Sequence, residues 1–474
     1  MRSQRSRCAK LIALRRYQID PTGVSLADAA RVWARIGWLG FGGPAGQIAL
    51  MHRELVEKRR WISGERFLHA LSYCMLLPGP EAQQLAIYIG WLMHRTVGGV
   101  IAGTLFVLPG ALVIFVLSVV YVTWQHLPAM TAVFLGLKAA VLAIVVDAVL
   151  RLGRRALRNP ALVTISGAAF VAIYFLRVPF PLIVLSAGLI GIAGHRWWPG
   201  YFPAPASAVS LAQGDYILDR RFAAGELVHT VPSRRRSVAV LVVCLILWSV
   251  PVLAVVATFG RDSIFAQQGI FFSQAALVTF GGAYAVLAYM AQRVVESYRW
   301  LSPGEMLDGL ALAETTPGPL IMVVQYVAFL AAFRHPLGLP PYAAGILGSV
   351  LTVWVTFVPC FLWIFVGAPY IEALRSNRVL HSALSAVTAA VVGVILNLSV
   401  WLTVHTAFRA LDSRAIGPFH VDVPVLSSWE PMLLIIAAAA LVAMLRFKAG
   451  LGWTLLGSAL LGVAWQLARH ATGA

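Results

Sequence analysis

The sequence predicts an all-α, polytopic membrane protein of about 13 membrane segments, built as two inverted homologous halves. Three observations predict it. Hydrophobic residues make up 59% of the chain and charged residues only 12%, the chain matches itself at an offset of 239 residues, and that match superposes apolar runs broken by glycine and proline. Soluble domains average about 25% charged residues. The composition of this 474-residue chain therefore excludes a soluble multidomain enzyme, a disordered chain and a fibrous repeat. The net charge of +18 comes from basic clusters between apolar runs, which is a topology signal and not a nucleic-acid footprint.

Residues 1–25 are basic and lead into no apolar stretch with a small-residue cleavage site, so they are expected to stay as a cytoplasmic tail. Nine apolar runs are long enough to cross a bilayer: 98–123, 131–150, 160–176, 179–194, 237–258, 339–367, 380–403, 429–446 and 450–468. Four more, 32–52, 67–94, 263–292 and 304–333, are interrupted by glycine and proline. The expected organisation is a first repeat over 26–194, a cytoplasmic linker over 195–236, a connecting helix at 237–258 and a second, inverted repeat over 262–468. Cys8, Cys74, Cys244 and Cys360 have neither disulfide-framework nor zinc spacing.

The repeat superposes Phe41-Gly42-Gly43 on Phe280-Gly281-Gly282, Arg60-Trp61 on Arg299-Trp300 and Pro78-Gly79-Pro80 on Pro317-Gly318-Pro319. Further along, the offset becomes 250 and places Pro109 on Pro359 and Asp147 on Asn397. Lys and Arg in short loops stay cytoplasmic. Arg151, Arg154, Arg155 and Arg158 thus fix one loop inside, and Arg220, Arg221, Arg234, Arg235 and Arg236 fix the linker there. The single run at 237–258 then inverts the second half, an architecture typical of secondary transporters. The Pro-Gly-Pro of 67–94 divides that run into pieces of roughly 16 to 20 Å, too short to span about 30 Å alone, so re-entrant hairpins are expected.

Pro-Gly-Pro within an apolar run removes two backbone donors and leaves a helix N-terminus at membrane depth, starting near Glu81. Free N–H groups there suit an anion, and non-helical backbone at that depth is tolerated where it lines a wet cavity. Glu81, with Gln83 and Gln84 beside it, and Glu314 before the second Pro-Gly-Pro are costly in a membrane and mark a pathway by default. Glu81 either caps its own helix or carries a proton coupled to the anion. Lys138 and Asp147 lie nine residues apart on one span, which argues against a direct pair; His52, His69 and His94 are expected at the interface. Motifs for metalloproteases, serine hydrolases and phosphate loops are absent, so any transport draws on an ion gradient or the membrane potential.

Several of these motifs resemble the chromate transporter family in its long two-domain form. They are Phe41-Gly42-Gly43-Pro44, Gln47-Ile48-Ala49, Trp61-Ile62-Ser63, Cys74 through Leu85 around Pro78-Gly79-Pro80, Tyr88-Ile89-Gly90-Trp91, Leu108-Pro109-Gly110, Thr279-Phe280-Gly281-Gly282 and Pro317-Gly318-Pro319. The resemblance implies a bacterial inner-membrane exporter of chromate that confers chromate resistance; the basic loops place the N-terminus in the cytoplasm and the C-terminus in the periplasm. It implies no enzyme activity and no cofactor. Chromate and its analogue sulfate would be the small-molecule partners, the lipid bilayer the surroundings, nucleic acid no partner, and a homodimer is left open. Candidate substrate contacts are Phe41, Gly42, Gly43, Pro44, Gln47, Pro78, Gly79, Pro80, Glu81, Gln83, Gln84, Gly281, Gly282, Pro317, Gly318 and Pro319; Glu81, Glu314, Lys138 and Asp147 are the candidates for coupling or gating. A transporter of sulfate, another oxyanion or a phosphate-lipid head group is the alternative.

Overall fold

Helix starts in this chain follow local chemistry. Ser25, Ser63, Ser263 and Ser302 each cap a helix by accepting from the backbone N–H three residues on, and proline opens six of the apolar helices at a position needing no donor. The computed structural model describes residues 23–201, 216–280, 283–371, 378–408, 410–417 and 419–472. All but three residues of the expected basic tail lie outside them.

The first half begins with α1 (Leu26–Leu39), then α2 (Gly43–Met51), which continues as a π-helical turn over His52–Lys58. Next come α3 (Gly64–Cys74) and α4 (Glu81–Trp124). The last is one helix in name only, because His94 and Arg95 leave helical geometry (Arg95 φ 54°) and divide it into arms 81–93 and 96–124. These arms fold back on each other: a Cβ on Gly90 would lie 2.5 Å from the Gly98 carbonyl oxygen. After α4 come α5 (Pro128–Ala156), α6 (Pro160–Tyr174) and α7 (Phe180–Trp197).

Linker helix α8 (Ile217–Ala223) marks one face of the molecule. Ile217 and Leu218 donate to the Arg60 and Trp61 carbonyls at 3.1 and 2.9 Å. Arg221 donates to Met93 O, and His229 bonds Trp91 O, both at 3.0 Å. Residues 60–61 and 91–93 therefore share the linker face, so the α3–α4 pair enters and leaves on one side. The α1–α2 pair does likewise, since His94 reaches Val24 O at 3.0 Å. These are the re-entrant hairpins expected from the sequence.

Helix α9 (Arg234–Phe259), 26 residues or roughly 39 Å at 1.5 Å per residue, then carries the chain to the opposite face. The second half repeats the first: α10 (Ile264–Val278), α11 (Ala283–Gln292) with a π turn at Arg293–Ser297, α12 (Pro303–Thr315) and α13 (Val323–Arg334), preceded by a 3-10 turn at Leu320–Met322. Arg60 and Arg299 both take φ 53°. Trp61 N–H bonds Leu55 O at 2.8 Å and Trp300 N–H bonds Val294 O at 2.9 Å, so backbone detail obeys the 239-residue offset. Helices α14 (Pro341–Gly367), α15 (Arg378–Ala407), α16 (Pro431–Phe447) and α17 (Leu451–Thr472) complete it. One apolar core joins side chains from both halves.

Two expectations need correcting. Among the described residues seven helices are long and apolar enough to span, against the nine expected. The remaining two runs became α6 and α16, of 15 and 17 residues, roughly 22 and 26 Å long. Asn159-Pro160 and Pro431 set their starts. The sequence reading also missed a β-hairpin between α15 and α16, Leu411–Ile416 paired with Phe419–Pro424, turning at Gly417 with φ 62°. His69 lies within α3 and lines a cavity at the linker face.

Candidate functional site: four chain breaks meeting between the halves

Each half contains two helix breaks, and the structure brings breaks of the two halves together in exchange. Gly79, in the first Pro-Gly-Pro, donates its N–H to Thr279 O at 2.8 Å; Gly318, in the second, donates to Gly40 O at 3.1 Å. Gly79 and Gly318, like Gly40 and Thr279, stand 239 residues apart, so the two bonds are the same bond seen from either half. Both glycines have positive φ, 123° and 95°, which a side chain would strain. Prolines on either side supply no N–H, so the central glycine is the sole donor of each tripeptide.

The spanning helices pack on these turns with the same exchange. A Cβ on Gly79 would meet Cys360 Sγ at 2.9 Å, and a Cβ on Gly318 would meet Gly110 Cα at 3.0 Å. Cys360 and Gly110 correspond at the 250 offset. Gln47 ties the arrangement together: its Nε2 donates to Gly40 O at 3.2 Å and also to Gly318 O, joining both halves through one carboxamide. Gln325 adds a further link between halves, donating to Ala111 O at 3.1 Å.

Beyond the first break the arm 81–93 begins. The Pro80 carbonyl accepts from Gln84 N–H at 3.1 Å, leaving the N–H groups of Glu81, Ala82 and Gln83 as the helix's free N-terminal donors. Glu81 opens this arm, directly after Pro80. Gln84 donates to Pro78 O at 2.7 Å and so stiffens the turn. Gln83 is fully buried, and neither end of its carboxamide has a partner among the described residues; the Oε1 atoms of Gln47 and Gln84 are likewise unpartnered. In the second half Leu320, Met322 and Val323 stand where Glu81, Gln83 and Gln84 stand in the first. The polar equipment therefore lies on one side of a symmetric backbone.

The remaining candidates separate. Gly42 and Gly43 make the α1–α2 turn with φ 86° and 65°, and Pro44 opens α2. Phe41 is 49% exposed. Gly281 and Gly282 lie outside the described residues. Glu314 is buried and accepts from the Tyr284 hydroxyl at 2.8 Å. Lys138 and Asp147 do not meet: Lys138 pairs with Asp308 at 3.2 Å and Asp147 with Arg151 at 2.7 Å. Sequence reasoning missed Gly40, Gly110, Cys360 and Asp308 as members of these contacts. The offsets relate Gly40 to Thr279 and Gly110 to Cys360 but do not bring either pair to the Pro-Gly-Pro turns, and Asp308 aligns with His69 and gave no paired signal.

Comparison with known proteins agrees with this duplicated plan. The family model described as chromate transporter matches twice, over residues 27–192 and 266–463. The chain belongs to the chromate transporter family. The chromate transport protein of Pseudomonas aeruginosa is 32% identical to it over 90% of this chain and 94% of the relative, and that of Cupriavidus metallidurans 30% identical over 89% and 94%. An uncharacterized transporter of Bacillus subtilis is 31% identical over 31% of this chain and 75% of the relative. No solved structure matches. The protein is thus an integral membrane transporter rather than an enzyme.

Proposed function

We propose that this chain exports chromate across the bacterial inner membrane, through the locus where the four breaks meet, and so confers chromate resistance. The observation that carries the reading is the exchanged pair of bonds, Gly79 to Thr279 and Gly318 to Gly40, which holds two broken helices against each other inside an apolar core. Such a pair of interrupted segments in corresponding places is how inverted-repeat transporters build a substrate site. A dianion would take the free N–H groups at 81–83, the Gln83 carboxamide and the polar backbone of the turns. Glu81, the first residue of that arm, carries its carboxylate beside these N–H groups and would compete with an arriving anion unless protonated. That competition is the proposed coupling step.

The membrane potential alone favours this direction. A dianion leaving an interior-negative cell gains about 4.6 kcal/mol per 100 mV, equivalent to a concentration ratio of roughly a thousandfold or more. The basic linker supports its face being cytoplasmic. Sulfate shares chromate's charge and shape, so the two should compete. The test is flux of both anions into everted vesicles holding the protein, with membrane potential and pH gradient collapsed separately. Sulfate-inhibited chromate accumulation supports the reading; accumulation of sulfate without chromate would make it a sulfate transporter.

A further inference from the structure

The two faces of the molecule treat equivalent positions differently. On the face opposite the linker, the Tyr121 hydroxyl donates to Asp308 Oδ2 at 2.9 Å and Lys138 Nζ lies 3.2 Å from Oδ1. Tyr121 and Lys138 belong to the first half, Asp308 to the second. Asp308 and Tyr121 are packed, 4% and 5% exposed, Lys138 is partly buried, and the Tyr326 ring closes edge-on against Tyr121 at 5.2 Å. Glu305, the next acid along α12, is taken by Arg334 at 3.2 Å, which leaves Lys138 as the cation for Asp308.

At the linker face the same positions are occupied by other residues. Asp308 corresponds to His69 at the 239 offset, and Tyr121 to Ile371 at the 250 offset. Instead of a packed network they line a cavity of about 120 Å³, whose wall includes Arg66, Tyr88 and Trp91 and whose cover is Phe222 and Thr230 of the linker. Arg66 lies over the Phe222 ring at 3.9 Å and pairs with Asp219 of α8.

We propose that Tyr121, Asp308 and Lys138 form the gate at the opposite-face end of the anion path, and that the cavity at His69 and Ile371 is the corresponding end on the linker face, left hollow beneath the linker. This rests on the reading that an oxyanion passes the four breaks. The Lys138 charge is neutralised by Asp308, so the pair seals and does not bind the passenger. Because the pair joins the two halves, a rocking of one against the other must break it to open that face. A buried pair suits such a two-state latch, since a lost partner leaves an uncompensated charge that favours the hydrated, open arrangement.

Native Cys360 lies fully buried at the meeting point beside Gly79 and serves as the reporter. Membrane vesicles of each orientation are treated with an impermeant methanethiosulfonate reagent, and modification of Cys360 is followed by mass spectrometry. Asp308→Asn should speed modification from the opposite face on the order of tenfold and leave the linker-face rate unchanged. Should that variant fail to insert, Lys138→Gln makes the same prediction. The charge swap Asp308→Lys with Lys138→Asp should return the opposite-face rate to the wild-type value. An unchanged rate in the single variants, or a swap as permeable as they are, overturns the gate. The assay contains no chromate, so a failed chromate flux with this labelling pattern would remove the substrate and keep the gate.

Discussion

Gly110 tests the contact between the halves with a substitution that should otherwise be benign. It sits inside the helical arm 96–124 with ordinary helical φ, where alanine is intrinsically better by about 1 kcal/mol. A Cβ there would nevertheless fall 2.6 Å from Pro317 O and 3.2 Å from Gly318 Cα. Both neighbours are backbone of the second Pro-Gly-Pro, which has no rotamer to move aside. Overpacking of this kind costs typically about 1–3 kcal/mol. The turn can relieve it only by retreating, which stretches the 3.1 Å bond from Gly318 N–H to Gly40 O and forfeits about 1 kcal/mol more. Net destabilisation of about 1–3 kcal/mol is expected, with the helix itself intact. Gly167 in α6 is the control, since a Cβ there meets nothing within 4 Å. Thermal unfolding in detergent and chromate flux in vesicles are the assays. Gly110→Ala should lose most flux and some stability, while Gly167→Ala keeps both; wild-type flux in Gly110→Ala would refute the claim that the halves must fit closely at this turn.

Other perturbations have defined outcomes. Glu81→Gln keeps the side chain's shape but removes its charge, so insertion should persist while flux stops responding to the pH gradient; an unaltered response would exclude Glu81 from coupling. Burial first, then Arg95, Arg221 and Arg236, hold linker residue His229 down to about 4 against its bond to Trp91 O. The folded protein then binds fewer protons than the unfolded chain between about pH 6.5 and about 4, so this stability is complete above that window and lost as pH falls through it. The loss should be about 1–2 kcal/mol after allowing for partial exposure, read as a melting-point drop between pH 7.5 and 4 that His229→Gln diminishes. Asp219→Asn removes the partner of half-buried Arg66 and should loosen the linker, raising its proteolysis rate several-fold; equal cleavage of wild type and variant would show the pair to be dispensable.

Much of the fold was legible because membrane helices are encoded one-dimensionally: an apolar run of sufficient length must be helical in lipid. The 239 offset exposed the duplication, and Pro-Gly-Pro exposed the breaks, since proline acts on backbone regardless of context. What escaped was pairing across the halves. Nothing in the local sequence of Gly40 says that its carbonyl accepts from Gly318, 278 residues away, and nothing near Lys138 points to Asp308. Helix periodicity excluded a Lys138–Asp147 pair correctly but cannot name a partner on another helix. The run at 160–176 outlasts α6 because apolar loop residues Phe175 and Leu176 continue it past the helix end, while the run at 429–446 starts ahead of α16, at Trp429 and Glu430. The β-hairpin at 411–424 alternates apolar and polar residues only in its second strand, Phe419-His420-Val421-Asp422-Val423, and turns at Gly417.

The central claim is that the broken backbone between the halves binds the anion. Equilibrium dialysis of radiolabelled chromate against purified protein, wild type and Pro78→Ala/Gly79→Ala/Pro80→Ala side by side, tests it without reference to driving force. Saturable binding that sulfate displaces, lost in the variant while its melting transition remains cooperative, is the predicted result. Equal chromate affinity in the two proteins would contradict the account and reduce the breaks to structural kinks.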